Sequence, residues 1–266
     1  MTRLQDDFFN YVNGEWEKTA VIPEDKPVTG GFMDLDQDIE KLMLATTDKW
    51  LAGQDVPEDP ILQNFVKYHR LVADFDGREQ AGVAPAMPLV EEYKALSSFK
   101  EFAAKIAEYE MAGKPNTFTF DVAPDFMNAQ MNVLWADAPG IILPDTTYYE
   151  EGNEKGKELL AIWRKMQEEL LPKFGFSAEE TKDILDKYLE LDAKLAKYVL
   201  SNEESSEYVK LYHPYDWADF TKLAPELPLD AIFTEILGQV PDKVIVPQER
   251  FWKEFAAECY SEKNWE

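Results

Sequence analysis

Cysteine occurs once in these 266 residues and histidine twice, and no apolar run approaches the roughly 20 residues that a bilayer-spanning helix needs. The single Cys259 permits no internal disulfide, which excludes a small disulfide-held secreted scaffold and fits a reducing compartment. Basic residues are scarce too: 27 Lys and Arg stand against 52 Asp and Glu, a formal charge of −25. A surface of that sign repels phosphate backbones and anionic lipid heads, so neither nucleic acid nor a membrane is expected as a partner. Met1-Thr2-Arg3 leads into the first helical pattern without a signal peptide's apolar stretch, and no Asn-x-Ser/Thr acceptor occurs, so the chain reads as cytoplasmic. No glycine-rich, phosphate-cradling loop is found; Gly30-Gly31 reads as a tight entry to the helix that follows.

What the chain does have is apolar residues at helical spacing. Hydrophobic residues at 45% and aromatics at 13% suffice for a folded core. Asp6-Asp7 open a short helix with Phe8, Tyr11 and Val12 on one face, and Asn13-Gly14 is expected to stop it. Leu35, Ile39, Leu42, Met43 and Trp50 mark a helix between Gly30 and Ala52, and Asp59-Pro60 opens another through Phe65, Tyr68, Leu71 and Val72 to Gly77. A Gly- and Pro-rich connection over 77–88 precedes a short helix near Leu89 to Leu96. Ser98-x-x-Glu101 then reads as a capping box for a helix carrying Phe102, Ile106 and Tyr109.

The period changes next. Phe118 to Val122 alternates and Met131 to Trp135 is a second β-prone run, predicting a hairpin or two ladder strands, and the loop after them places an internal boundary at 145/146. Beyond it, Leu159, Trp163, Met166 and Leu170 share a helical face, and Ser177-x-x-Glu180 caps a second long helix with Ile184, Tyr188, Leu191, Leu195 and Val199. Their short connection predicts an antiparallel pair. Residues 201–216 read as polar loop, 216–223 and 229–237 as short helices, Val244-Ile245-Val246 as a strand, and 247–260 as a helix bearing Phe251, Trp252 and Phe255. The predicted fold is therefore mostly α, a multi-helix chain with a small β-hairpin or short strands.

Residues that could carry chemistry are few. His69 and His213 are far apart, and neither is followed by Glu, so each reads as an ordinary histidine and no metal site is assigned. Asp34-x-Asp36-x-Asp38 resembles the start of a calcium loop but has Ile39 where Gly is needed and Ala45 where a bidentate Glu is needed; it reads as an acidic helix start. Glu150-Glu151, Glu168-Glu169 and Glu203-Glu204 are sequence neighbours that point apart and read as solvated faces. Cys259 has no cation nearer than Lys263 and no paired histidine, which makes a nucleophilic role improbable. No residue is assigned as catalytic.

Five ordered blocks carry a resemblance. "NYVNGEW", with "VIPEDK" and "GGF" after it, "PGIILPDTTYY" (Pro139 to Tyr149), "LYHP" (Leu211 to Pro214), "PDKVIVPQERFW" (Pro241 to Trp252) and "KNW" (Lys263 to Trp265) together resemble the amino-terminal portion of the neprilysin-like zinc metallopeptidases, the bacterial PepO oligoendopeptidases in particular. Extracellular relatives have a Cys where this chain has Asn13, which fits a cytosolic member. The resemblance implies a thermolysin-like catalytic lobe joined to a helical lobe across a closed cavity, oligopeptide substrates, and a zinc ion held by His-Glu-x-x-His. That signature is absent here, so the metal belongs to the remaining catalytic part of the same protein, which is the expected partner. It further implies that residues 1–145 pack partly on that catalytic part, that 146–266 begin the helical lobe, and that this chain alone is inactive.

Two positions align with substrate contacts. Phe32 matches a pocket-lining Phe, and Val28 falls where relatives carry an Arg that grips the substrate's terminal carboxylate; Lys26 lies close enough to act as a substitute cation. The aromatics Phe8, Phe9, Tyr11, Trp16, Phe251, Trp252 and Phe255 are expected to pack on the absent lobe and so to lie exposed here. The competing reading is an acidic helical interaction module without catalytic activity.

Overall fold

The computed structural model describes residues 3–26, 28–117 and 119–265. The chain forms two compact units, Met1–Gly82 and Val83–Glu266.

In the first unit, α1 (Phe8–Glu17) starts on Asp7, whose carboxylate accepts the Asn10 amide at 2.9 Å. It does not stop at Asn13-Gly14: glycine permits a left-handed end but does not compel one, and the helix runs on to close with bonds to the Trp16 carbonyl. An extended stretch leads to α2 (Gly31–Leu51). Next comes α3 (Pro60–Ala73), with Pro60 in its first turn and Asp59 accepting from the Ile61 and Leu62 amides. It ends before Gly77 because Asp74 caps a further helix, α4 (Phe75–Ala81), by accepting the Gly77 amide at 2.9 Å. Trp50 meets Phe65 edge-on between α2 and α3, and Thr47 and Val66 are the fully buried side chains described in this unit. Most of its large apolar side chains, from Phe8 through Phe32 and Leu42 to Phe75, are exposed.

The second unit begins with α5 (Met87–Lys94) and α6 (Phe99–Met111). Ser98 caps α6 as expected, but the Glu101 carboxylate accepts from Ser97, both amide and hydroxyl, so the reciprocal box does not close. The β element is a hairpin of β1 (Phe120–Asp125) and β2 (Asn128–Ala136); Phe118, expected to begin the first strand, lies outside the described residues. Then come α7 (Glu154–Leu170) and α8 (Ala178–Leu195). Trp163 stacks on Tyr188 and Arg164 pairs with Asp186, so one partner's number rises as the other's falls, as an antiparallel pair requires. The Ser177–Glu180 box closes in both directions.

The stretch expected as polar loop contains α9 (Asn202–Ser206), opened by a second closed box between Ser201 and Glu204. After it come β3 (Pro214–Asp216), α10 (Trp217–Phe220), α11 (Leu229–Leu237), β4 (Lys243–Ile245), α12 (Glu249–Glu254) and α13 (Ala256–Cys259). The sheet runs β1-β2-β4-β3, with β2 and β4 parallel and the other pairs antiparallel, so the chain is mostly but not wholly helical.

Phe102, Ile106 and Tyr109 of α6, Leu134 of β2, Val244, and Ile232 and Phe233 of α11 form the core with Phe251, Trp252 and Phe255. The last three overturn the expectation of an exposed stripe. Their helix breaks at Phe255, which leaves the helical region (φ −133°) and stacks on Tyr198 at 4.7 Å, while Trp252 meets Phe220 at 4.6 Å. Burying each such ring contributes roughly 1.5–3 kcal/mol, so this unit keeps these three for its own core.

Candidate substrate lip and structural clasps

The sequence-marked positions 26, 28 and 32 lie where the extended stretch enters α2. A turn closes from the Lys26 amide to the Pro23 carbonyl (3.1 Å), and α2 begins with the Asp34 amide donating to the Gly30 carbonyl at 2.8 Å. Val28 precedes the helix and is half exposed; Phe32, in its first turn, is 86% exposed, so both are solvent-facing. Lys26 is not. Its Nζ lies 2.9 and 3.0 Å from the two Glu40 oxygens, an ion pair that holds the ammonium above its ordinary range with help from Asp25 and Asp36. A cation so surrounded by carboxylates is a poor substitute for an unpaired guanidinium.

Asp34, Asp36 and Asp38 sit on α2, where successive residues turn by about 100° and cannot wrap one ion in loop fashion. His69 lies on α3 beside the Phe65 ring, at 5.9 Å, and His213 lies in the other unit. His213 Nδ1 is 3.2 Å from the Val246 carbonyl and its Nε2 4.0 Å from Glu249. His213 and Glu249 line a cleft of about 370 Å³ whose carboxylates are paired: Glu204 with Arg250, Glu207 with Lys210, and Glu249 with Lys253 beyond the lining. Among the described residues no three of His, Cys, Asp and Glu converge as metal ligands, so the donor set present does not fit zinc. Burial pushes the Cys259 thiol up to about 12, with Glu258 adding to it, so little thiolate forms near neutrality.

Three of the four blocks after the first are held by polar clasps that the sequence did not reveal. In "PGIILPDTTYY", Asp192 of α8 accepts the Ile142 amide at 2.9 Å and the Tyr149 hydroxyl at 2.5 Å; burial nonetheless pushes its carboxyl up. In "LYHP", the Tyr212 hydroxyl donates to Asp125 at 2.7 Å, and Lys243 of "PDKVIVPQERFW" binds the same carboxylate. Arg250 of that block donates to the Tyr198 and Val199 carbonyls beyond the end of α8 and to both Glu204 oxygens. An Asp between Leu191 and Leu195 on an apolar helical face was the one available signal. The partners of Asp125 and Arg250 lie too far along the chain to be read from spacing.

A match to the model of Peptidase family M13 runs over residues 4–266. The chain belongs to this family, the neprilysin-like metallopeptidases, and corresponds to its amino-terminal portion. It is 66% identical over 266 residues to a Streptococcus gordonii protein named as a zinc metalloproteinase of the scaA 5'region, covering all of this chain and 47% of that one. It is 34% identical over 267 residues to a neutral endopeptidase of Lactococcus lactis subsp. cremoris, covering 42% of it. The chain thus spans less than half the length of either relative. Its fold is that of PepO from Lactobacillus rhamnosis HN001 (TM-score 0.84, 24% identity, 100% of this chain and 41% of that one). It also matches zinc metalloprotease ZMP1 of Mycobacterium tuberculosis in complex with an inhibitor (TM-score 0.73, 21% identity, 99% and 42%).

Proposed function

We propose that these residues are the amino-terminal portion of a cytoplasmic zinc metalloendopeptidase that hydrolyses oligopeptides, its zinc ligands lying in the part of the parent protein outside this chain. The observation that carries this reading is a family match along nearly the whole chain that covers less than half of each named relative. The exposed apolar side chains of the first unit support it, since a surface of that kind calls for a covering partner. On this reading residues 1–145 pack partly on the catalytic lobe and 146–266 begin the helical lobe. Phe32 lines the substrate cleft, and Val28 leaves the place of the carboxylate-gripping arginine without a donor. For the compartment, the reading draws on the single cysteine; among the described residues no helix is long and apolar enough to cross a membrane.

The test is made on the full-length parent and on residues 1–266 side by side. The parent is expected to cleave a short peptide, lose that activity to a chelator and regain it with zinc, while 1–266 alone cleaves nothing. Chelator-sensitive cleavage by 1–266 would overturn the placement of the site. The coding DNA after Glu266 is expected to encode His-Glu-x-x-His. A stop codon there would favour the second reading, a non-catalytic acidic helical module, for which the acid-flanked apolar face of α2 speaks.

A further inference from the structure

We propose that the first half of α2 is one side of a helix–helix seam. Its occupant is an amphipathic helix with Lys or Arg flanking its apolar ridge, carried by the parent protein outside residues 1–266. The inference rests on the reading above and adds the chemistry and place of the contact. Phe32 stands at the cleft end of a ridge continued by Leu35, Ile39 and Leu42, spaced three, four and three apart, the repeat that lines up one ridge of a helix for knobs-into-holes packing. All four are exposed, at 86%, 58%, 48% and 66%. The contact of α2 with α3 lies further along, at Trp50 and Phe65, and leaves this ridge uncovered. An apolar ridge about 15 Å long, three helical turns, would not stay in water on a folded enzyme.

Charge selects the occupant. Asp36 and Asp38 stand at the two positions that flank such a ridge, and residues 31–41 contain Asp34, Asp36, Asp38 and Glu40 against Lys41 alone. Lys41 approaches Asp38 at 3.4 Å on the solvent side, and Glu40 is taken by Lys26. A second copy of α2 would bring Asp against Asp in the antiparallel orientation and would set two acidic flanks side by side with no cation between them in the parallel one, so self-pairing is disfavoured, whereas Lys or Arg flanks would be attracted.

The experiment uses the full-length parent. A zero-length carbodiimide, which joins carboxylates to amines in contact, is applied to a mixture of isotopically labelled and unlabelled protein, and the joined peptides are mapped. Asp36 or Asp38 is expected to be joined to a lysine beyond residue 266 of the same copy. Joining to a lysine within 1–266 other than Lys41, which already pairs with Asp38, or to the other copy, overturns the proposal. Because the flank can be arginine, melting is measured as well. Ile39→Glu and the double variant Asp36→Lys/Asp38→Lys are each expected to lower the melting temperature of the parent by several degrees, Ile39→Glu the more, while 1–266, whose ridge already faces water, is not lowered to match and is raised by the double variant, which relieves its excess negative charge. Equal shifts in the parent and in 1–266, or none in the parent, refute the seam. A parent that shows the contact but cleaves no peptide would instead overturn the enzymatic reading alone.

Discussion

At position 28 an isopropyl group stands where the family resemblance places a guanidinium, and it has no donor to offer a terminal carboxylate. Charge-assisted hydrogen bonds contribute about 1.5–3 kcal/mol each, enough for tenfold discrimination or more. The full-length enzyme is therefore expected to treat free-acid and amidated peptides nearly alike, and Val28→Arg to create a preference for the acid, read as kcat/KM on paired peptides. A strong wild-type preference that survives Lys26→Ala would place the grip on another residue. Gly156 makes a different demand. A Cβ there would lie 1.8 Å from the Tyr148 carbonyl oxygen, so the first turn of α7 sits against a neighbouring backbone that cannot give way cheaply. Gly156→Ala is expected to cost roughly 2 kcal/mol, seen as a lower urea midpoint at unchanged slope; an unchanged midpoint would show that α7 shifts freely. Nothing in the sequence marked Gly156, because close approach is a property of two segments, whereas the caps at Asp7, Asp59 and Ser177 were legible from a few adjacent letters.

The hairpin shows how an element with little core of its own is held. Its outer half is exposed, and it is fastened at the turn by Asp125, which accepts from Lys243, from the Met127 amide (2.9 Å) and from Tyr212 (2.7 Å). The Lys243 ammonium, then the other two donors, hold that carboxyl down at about 2, below its ordinary 3.8. With the folded value lowered, the unfolded chain binds more protons between about 2 and 4, so this contribution is complete above pH ~4 and lost as the pH falls toward ~2. Asp125→Asn is expected to lower stability near neutral pH, with the gap to wild type narrowing across that window in urea unfolding at stepped pH. A gap that stays constant would mean the carboxylate charge is immaterial. The edge of the sheet is guarded as well. The ladder bond from the Asp137 amide to the Thr119 carbonyl turns the odd residues of β1 toward β2. Of the outward amides, that of Val122 is taken by the Asp121 side chain at 2.7 Å, and Pro124 has none. The hairpin was readable from its alternation; its clasp was not, since Asp125, Tyr212 and Lys243 come from three separate stretches.

For the whole molecule the dominant quantity is the charge of −25. Among the described residues most ion pairs are exposed contacts three or four residues apart in the chain, which contribute little, so like-charge repulsion prevails. Raising salt from about 0.01 to 0.15 M shortens the screening length from about 30 to 8 Å and is expected to raise the melting temperature of 1–266. A fall in calorimetry would show that attractive pairs outweigh the excess. Charge, helix content, most helix starts and the family resemblance are all local or additive properties, and the letters of this chain were sufficient for them. Whether an apolar stripe is core or surface was beyond their reach. Phe251, Trp252 and Phe255 and the ridge of α2 look alike as periodic aromatic and aliphatic runs, yet one is buried and the other faces solvent. The physical reason is that burial depends on which distant segment arrives to cover a face: Phe120 of β1, Phe220 of α10 and Tyr198 beyond α8 arrive over the first stripe, and no described residue covers the second.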